Sequence, residues 1–113
     1  MQHFMHELKA RNVTAKTPYT GRYVGSLVVD FDRTLRRGGI FLYPVDSKRP
    51  HGRLRLLYEC LPLAFIMEQA GGLAVNGAGR ILDVVPSDIH ERSAFIAGGP
   101  TEVSWFQRVV HEV

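Results

Sequence analysis

Glu59 is the residue whose position most needs a chemical explanation. It lies between the apolar LLY of residues 56–58 and a nearly all-apolar segment that begins at Cys60. A carboxylate so close to a core is costly unless it is hydrogen-bonded, paired or bound to a metal. Two roles suit it. It can cap the amides at the start of the following helix, where an anion is favoured, or it can ligate a metal ion. One carboxylate cannot hold a hard divalent cation, which takes several oxygen ligands, so the rest would come from elsewhere. Arg53 and Arg55 alternate around Leu54, so in an extended segment they point to the same side. Two guanidiniums on one side suit a phosphate, which arginine grips with two parallel bonds. Pairing with surface acids is the plainer use.

Arg22, Tyr23, Gly25 and Ser26 stand just ahead of a helical pattern. Free amides at a helix N-terminus attract anions, and glycine allows close approach to the backbone. An ordinary N-cap by Ser26 explains the same residues. Tyr43 ends an apolar run, where its hydroxyl could reach a ligand or simply satisfy a backbone group. His3, His6, His51, His90 and His111 are scattered with no zinc-site spacing. The single cysteine, Cys60, reads as a core residue. His90, with Asp88 and Glu91 beside it, reads as part of a surface loop. There is no Walker motif, and GGLAVNGAG does not sit between a strand and a helix as a dinucleotide-binding loop would.

These residues must be held by regular elements. Residues 3–9 read as a helix end or a loose arm, and residues 1–21 as an arm and connection ahead of the domain at 22–113. Ser26 opens a helix in which Leu27, Val28, Phe31 and Leu35 share a face. Ser26 also offers its hydroxyl to the first turn, and Gly38-Gly39 ends the helix. IFLYP (40–44) reads as a short buried strand. The segment 53–59 alternates imperfectly into a second helix over about 60–70, with Pro62 tolerated in its first turn. Apolar on nearly every side, that helix should be well buried. Strands follow at 73–76, 80–85 and 94–98, then a helix from residue 100 or 101 to about 110. This order predicts an α/β domain with a mixed β-sheet covered by helices.

Composition bounds the function. The 113 residues amount to about one domain. The longest apolar run, 61–67, is far short of the ~20 residues a membrane helix requires. The N-terminus mixes charged and apolar residues too early for a signal peptide. One cysteine excludes an internal disulfide framework and fits a reducing, intracellular setting. Charge is uneven: residues 33–55 carry seven basic side chains against one acidic, whereas 56–113 carry three against seven. The basic centre would concentrate anions. A solvated surface, a nucleic acid and a small phosphorylated ligand all suit such a run, although no recognised motif points to nucleic acid.

Taken together, RYVGSLVVDFDRTLRRGGIFLYP, GRLRLLYECLPLAFIMEQAGG and ILDVVPSDIHERSAFIAG resemble the C-terminal part of class I fructose-1,6-bisphosphatase. The likeness runs over residues 22–99, with each motif long and in the family's order. It implies the C-terminal domain of the lithium-sensitive, metal-dependent sugar phosphatase fold, in a cytoplasmic enzyme that is a homo-oligomer, a tetramer in the family. It also implies hydrolysis of the 1-phosphate of fructose 1,6-bisphosphate to fructose 6-phosphate, in gluconeogenesis or the Calvin cycle. The resemblance makes Glu59 a metal ligand for Mg2+, or for Mn2+ or Zn2+. It places Tyr23 and Tyr43 on the substrate's 6-phosphate, and Arg22 on that of a neighbouring subunit. It lines the sugar site with Gly25, Ser26 and Leu27, and puts Arg53 and Arg55 where a substrate-contacting lysine and the arginine of a KLR segment stand.

The chain departs from the pattern in four places. Arg53 replaces the lysine, which keeps the charge and changes the geometry. Leu61 stands for an asparagine, Asp32 for a histidine and Arg37 for a tyrosine. The family's acidic metal cluster, its Asp-Gly-Ser phosphate segment, its catalytic loop and its AMP site have no counterpart among these residues. The expectation is therefore a C-terminal domain that meets a missing N-terminal catalytic domain, is inactive alone, and either self-associates through the face that domain would cover or is marginally stable. The alternatives are a non-catalytic phosphosugar-binding or interaction domain, and a sedoheptulose-bisphosphatase-type fragment. Neither a membrane nor nucleic acid is an expected partner.

Overall fold

A computed structural model describes residues 26–45 and 47–112. Helix α1 (Leu27–Arg37) follows Ser26, whose backbone is extended and whose carbonyl accepts the Asp30 N–H at 2.9 Å. Contrary to expectation, the Ser26 hydroxyl makes no cap bond. Asp30 in the first turn and Arg36 and Arg37 in the last suit the helix dipole. Gly38, at φ +81°, closes the helix with its N–H on the Thr34 carbonyl at 2.8 Å. Phe31 and Thr34 are buried, and Leu27 and Leu35 pack against the same core. Val28 does not join them, because the buried stripe runs through residues 27, 30–31 and 34–35 and leaves Val28 exposed. Asp30 is buried instead, with Arg33 Nη2 on its carboxylate at 3.1 Å.

Strand β1 (Ile40–Tyr43) and the short β2 (Leu54–Arg55) come next. A wide π-helical turn (Leu56–Cys60) then leads into helix α2 (Leu61–Gln69). Pro62 has no N–H to give the preceding turn, and a wide turn ahead of it is where the helical ladder can change step. Strand β3 (Leu73–Val75), a 3₁₀ turn (Ile81–Asp83), β4 (Arg92–Ser93), β5 (Phe95–Gly98) and helix α3 (Pro100–Glu112) complete the order. Residues 80–85 are thus not the expected strand. Arg80 retains a single bridge to Val75 while its guanidinium is clamped on Glu68 (2.6 and 2.8 Å) and Asp83 (2.7 Å). Ile81 drops into the core and Val85 points outward.

The main sheet runs β1-β5-β3, and a second pairs β2 with β4. All described pairings are antiparallel. The mixed sheet expected from the sequence is therefore not seen among the described pairings: β1 and β3 run the same way, but β5 lies between them antiparallel to both. Every residue of β5 is buried. Its side chains alternate, so Phe95 and Ala97 join one core and Ile96 the other. The first core also takes Phe31, Phe41, Leu56, Ala64 and Met67 under α1 and α2, with Phe31, Phe41 and Phe95 rings 5.9–6.4 Å apart. The second takes Val103, Trp105, Phe106 and Val109 from α3. Helices on both faces of a sheet give the α/β architecture the pattern predicts. Within α2 only Ala64 and Met67 are buried. Phe65 and Ile66 are 57% and 45% exposed, because the helix meets the sheet along one side.

Cys60 is wholly buried, and its thiol is pushed up from its usual 9.0 to about 12, first by burial and second by the charge of Glu59. The thiolate is the reactive form, so iodoacetamide should label Cys60 only when denaturant is added. A thiol raised in the folded state favours folding below the unfolded value. That contribution is lost as pH climbs from 9.0 towards 12, where the unfolded chain has released a proton the folded chain keeps. Denaturation midpoints should fall more steeply across that window than in Cys60→Ala, and parallel slopes would refute the assignment.

Candidate functional site

The segment carrying Arg53, Arg55 and Glu59 is built on Gly52. Gly52 is buried at φ +96° and packs so closely on the Ser93 backbone that a Cβ would collide with it. This contact sets β2 beside β4, with Leu54 opposite Ser93 and Arg55 opposite Arg92. Two further bonds fasten the segment: Arg92 Nη1 donates to the Arg53 carbonyl at 2.8 Å, and the Leu56 N–H to the Glu91 carbonyl at 2.8 Å. The loop behind them holds its own shape. The His90 N–H donates to Asp88 Oδ1 at 2.7 Å, and the Ser87 N–H and hydroxyl both donate to Glu91 Oε1 at 2.8 Å. Those two Ser87 bonds, the backbone one foremost, hold the Glu91 carboxyl below its usual range.

Glu59 is half-buried in the π turn, and its Oε1 accepts the backbone N–H of Arg55 at 2.9 Å. This is the carboxylate half of a capping box, so the capping role is real. The other oxygen has no hydrogen-bond partner among the described residues. The donor set therefore fits a divalent ion as a single ligand. Among the described residues no three His, Cys, Asp or Glu side chains converge to complete such a site. Leu54 is buried, and the two arginines beside it turn away from the core, as strand alternation requires. Arg53 lies over Tyr43, with 5.9 Å from its guanidinium carbon to the ring centre, a cation–π geometry. Tyr43 in turn stacks on Phe41 at 4.7 Å. Arg55 Nε donates to the Tyr58 hydroxyl at 3.1 Å. His51, Asp88, His90, Glu91 and Arg92 border a shallow cleft of about 490 Å³ beside this cluster. The arrangement is a carboxylate with one open oxygen next to arginines and a tyrosine, suited to a phosphorylated ligand and a shared cation.

Residues 1–111 match the family described as fructose-1-6-bisphosphatase, C-terminal domain. The chain belongs to that family. It is 50% identical over 103 residues to fructose-1,6-bisphosphatase class 1 of Cytophaga hutchinsonii, which covers 91% of this chain and 30% of that protein. It is 53% identical over 92 residues to fructose-1,6-bisphosphatase 1 of Bos taurus, covering 81% of this chain and 27% of that protein. Among solved structures it is similar to Leishmania major fructose-1,6-bisphosphatase in the T-state, with a TM-score of 0.89, 40% identity, and coverage of 100% of this chain and 35% of that one. The holo form of the Leishmania enzyme gives a TM-score of 0.84 at 42% identity, covering 94% of this chain and 34% of that one. The chain thus spans about a third of the length of the fructose-1,6-bisphosphatases it matches.

Of the positions singled out in the sequence, Arg22, Tyr23 and Gly25 lie outside the described residues. Ser26 is exposed at the start of α1, and Leu27 packs on the core that Tyr43 also borders. Tyr43 and Arg53 are brought together, as are Arg55 and Glu59. Where this chain departs from the family pattern, the replacements are accommodated. Asp32 pairs with Arg36 on the surface at 3.0 Å, Arg37 is exposed, and Leu61 packs partly against the core with no side-chain cap at α2. Gly52, Tyr58, His90 and Arg92 were not visible as site residues in the sequence. The Ser-Asp-x-x-Glu spacing of residues 87–91, a self-bonding loop pattern, is the one local hint that His90 is held in place.

Proposed function

We propose that this chain is the phosphosugar-binding part of an enzyme that hydrolyses the 1-phosphate of fructose 1,6-bisphosphate to fructose 6-phosphate. The observation that carries the reading is the pairing of Arg53 with Tyr43 and of Glu59 with the Arg55 backbone, on either side of the buried Leu54, in a chain matched along residues 1–111 to the fructose-1,6-bisphosphatase C-terminal domain. Glu59 offers its open oxygen to a divalent cation, with Mg2+ first and Mn2+ or Zn2+ as substitutes, whose other ligands come from outside the described residues. When bound, such an ion polarises a phosphoryl oxygen and makes water a better nucleophile. Arg53 and the Tyr43 hydroxyl, joined by Tyr23, hold the 6-phosphate, while Gly25, Ser26 and Leu27 line the sugar. Arg22 serves the 6-phosphate of a neighbouring copy in a homo-oligomer. The setting is cytoplasmic. Among the described residues no helix is long and apolar enough to cross a membrane. The exposed Leu57, Phe65 and Ile66 offer apolar surface to the part of the relatives this chain does not match.

A second reading, a non-catalytic phosphosugar-binding domain, draws on the same Tyr43–Arg53 pair and the lone carboxylate. One experiment separates them. The purified 113-residue chain should bind fructose 6-phosphate in calorimetry and release no phosphate from fructose 1,6-bisphosphate with magnesium. Adding the N-terminal part of a relative should restore release. Binding with no gain on mixing supports the second reading. Turnover by the chain alone, lost in Glu59→Gln, would sink the idea of a shared metal site. Sedoheptulose bisphosphate run in parallel decides the sugar.

A further inference from the structure

Arg55 is gripped twice by the turn that follows it. Its backbone N–H is held by Glu59, and its Nε–H by the Tyr58 hydroxyl at 3.1 Å. An arginine side chain can only donate, so Tyr58 Oη is the acceptor and its own proton is left to point elsewhere. His90 Nδ1 lies 3.1 Å from the same oxygen, and the two rings meet edge-on at 6.1 Å and 88°. Placed on Nδ1, the tyrosine proton pairs with the His90 tautomer protonated on Nε2. This contact joins residues 32 apart in sequence. His90 is itself placed by the Asp88 carboxylate on its N–H, and its neighbour Glu91 by Ser87 and by the Leu56 amide.

We propose that Tyr58 and His90 are positioning residues whose directed hydrogen bonds fix the Arg55 guanidinium at the phosphosugar site. The inference rests on the reading of Arg55 as a site arginine. Binding Nε to Tyr58 leaves Nη1 and Nη2 without partners among the described residues. Those are the two donors that grip a phosphate side by side. A guanidinium already held in one orientation gives up less freedom when the anion arrives. The Tyr58 hydroxyl does this without ligand contact of its own, and His90 does it one bond further back, by keeping the hydroxyl turned the right way.

The test uses the full chain near neutral pH and two readouts. The first is the proton exchange rate of the Arg55 Nε–H in NMR spectra, assigned by its loss in Arg55→Lys. The second is affinity for fructose 6-phosphate. Tyr58→Phe keeps the ring and removes the hydroxyl. His90→Ala removes the acceptor, and His90→Asn restores an acceptor near the Nδ1 position. Exchange should accelerate about tenfold in Tyr58→Phe and His90→Ala, and affinity should fall about fivefold, within the usual net effect of losing one hydrogen bond. Asparagine should recover most of both, with circular dichroism unchanged throughout, since the pair is exposed. Unchanged exchange in Tyr58→Phe overturns the proposal. So does accelerated exchange with unchanged affinity. A wild-type chain that binds no fructose 6-phosphate refutes the proposed function instead, and the exchange rates still decide whether Tyr58 and His90 hold Arg55.

Discussion

Gly52→Ala should cost the domain about 3 kcal/mol or more, near the top of what single substitutions do. Two penalties combine at this position. A φ of +96° is unfavourable for any residue with a Cβ, and the added methyl would strike the backbone of Ser93, which has no side chain to swing aside. Gly71 provides the control. It has nearly the same φ, +95°, with open space where the methyl would go, so Gly71→Ala should lose only the conformational preference, about 1 kcal/mol. Chemical denaturation of the two variants isolates the close approach. Equal losses would show that packing against Ser93 contributes nothing. Because Gly52 sets β2 against β4, Gly52→Ala should also weaken fructose 6-phosphate binding. Its Arg53, Arg55 and Glu59 would no longer be held against the loop at residues 87–92.

Glu59 gives the second large effect, and two variants divide its two roles. Glutamine keeps an oxygen for the Arg55 N–H and loses the negative charge. Alanine loses both. Stability should therefore be nearly unchanged in Glu59→Gln and fall by about 1 kcal/mol in Glu59→Ala, the usual worth of a helix cap. Magnesium-dependent phosphate release, measured after adding the N-terminal part of a relative, should drop in both variants. The drop should be at least the ~100-fold seen when a metal's outer-shell partners are removed. Full turnover in Glu59→Gln would reduce Glu59 to a cap, while an unchanged denaturation midpoint in Glu59→Ala would remove the capping role.

Much of the fold could be read residue by residue. The helix from Ser26 to the Gly38 stop, the strand at 40–43 and the last helix are each marked locally, although of the strand expected to be buried only Phe41 is. The expected strand at 80–85 failed because apolar residues in sequence do not say which of them go inside. The clamp of Arg80 on Glu68 and Asp83 bends the chain so that Ile81 alone is fully enclosed. The second helix looked buried all round, yet only one side of it meets the sheet. Asp30, an acid in the first turn of α1, is buried beside Arg33.

The site divides the same way. The chemistry of single side chains was set by the sequence: a carboxylate at a helix start, arginines either side of a buried leucine, a tyrosine closing a strand. Their family pattern was likewise readable in one dimension. Only the tertiary structure decided who meets whom. The pairing of β2 with β4 brings residues 53–58 against residues 87–92, and so places His90 on Tyr58 and Arg92 on the Arg53 carbonyl. Such contacts depend on register and on one close backbone approach at Gly52, and neither leaves a periodic trace in the chain. Local periodicity encodes which face of an element is apolar; long-range hydrogen bonds are fixed by how those faces pack.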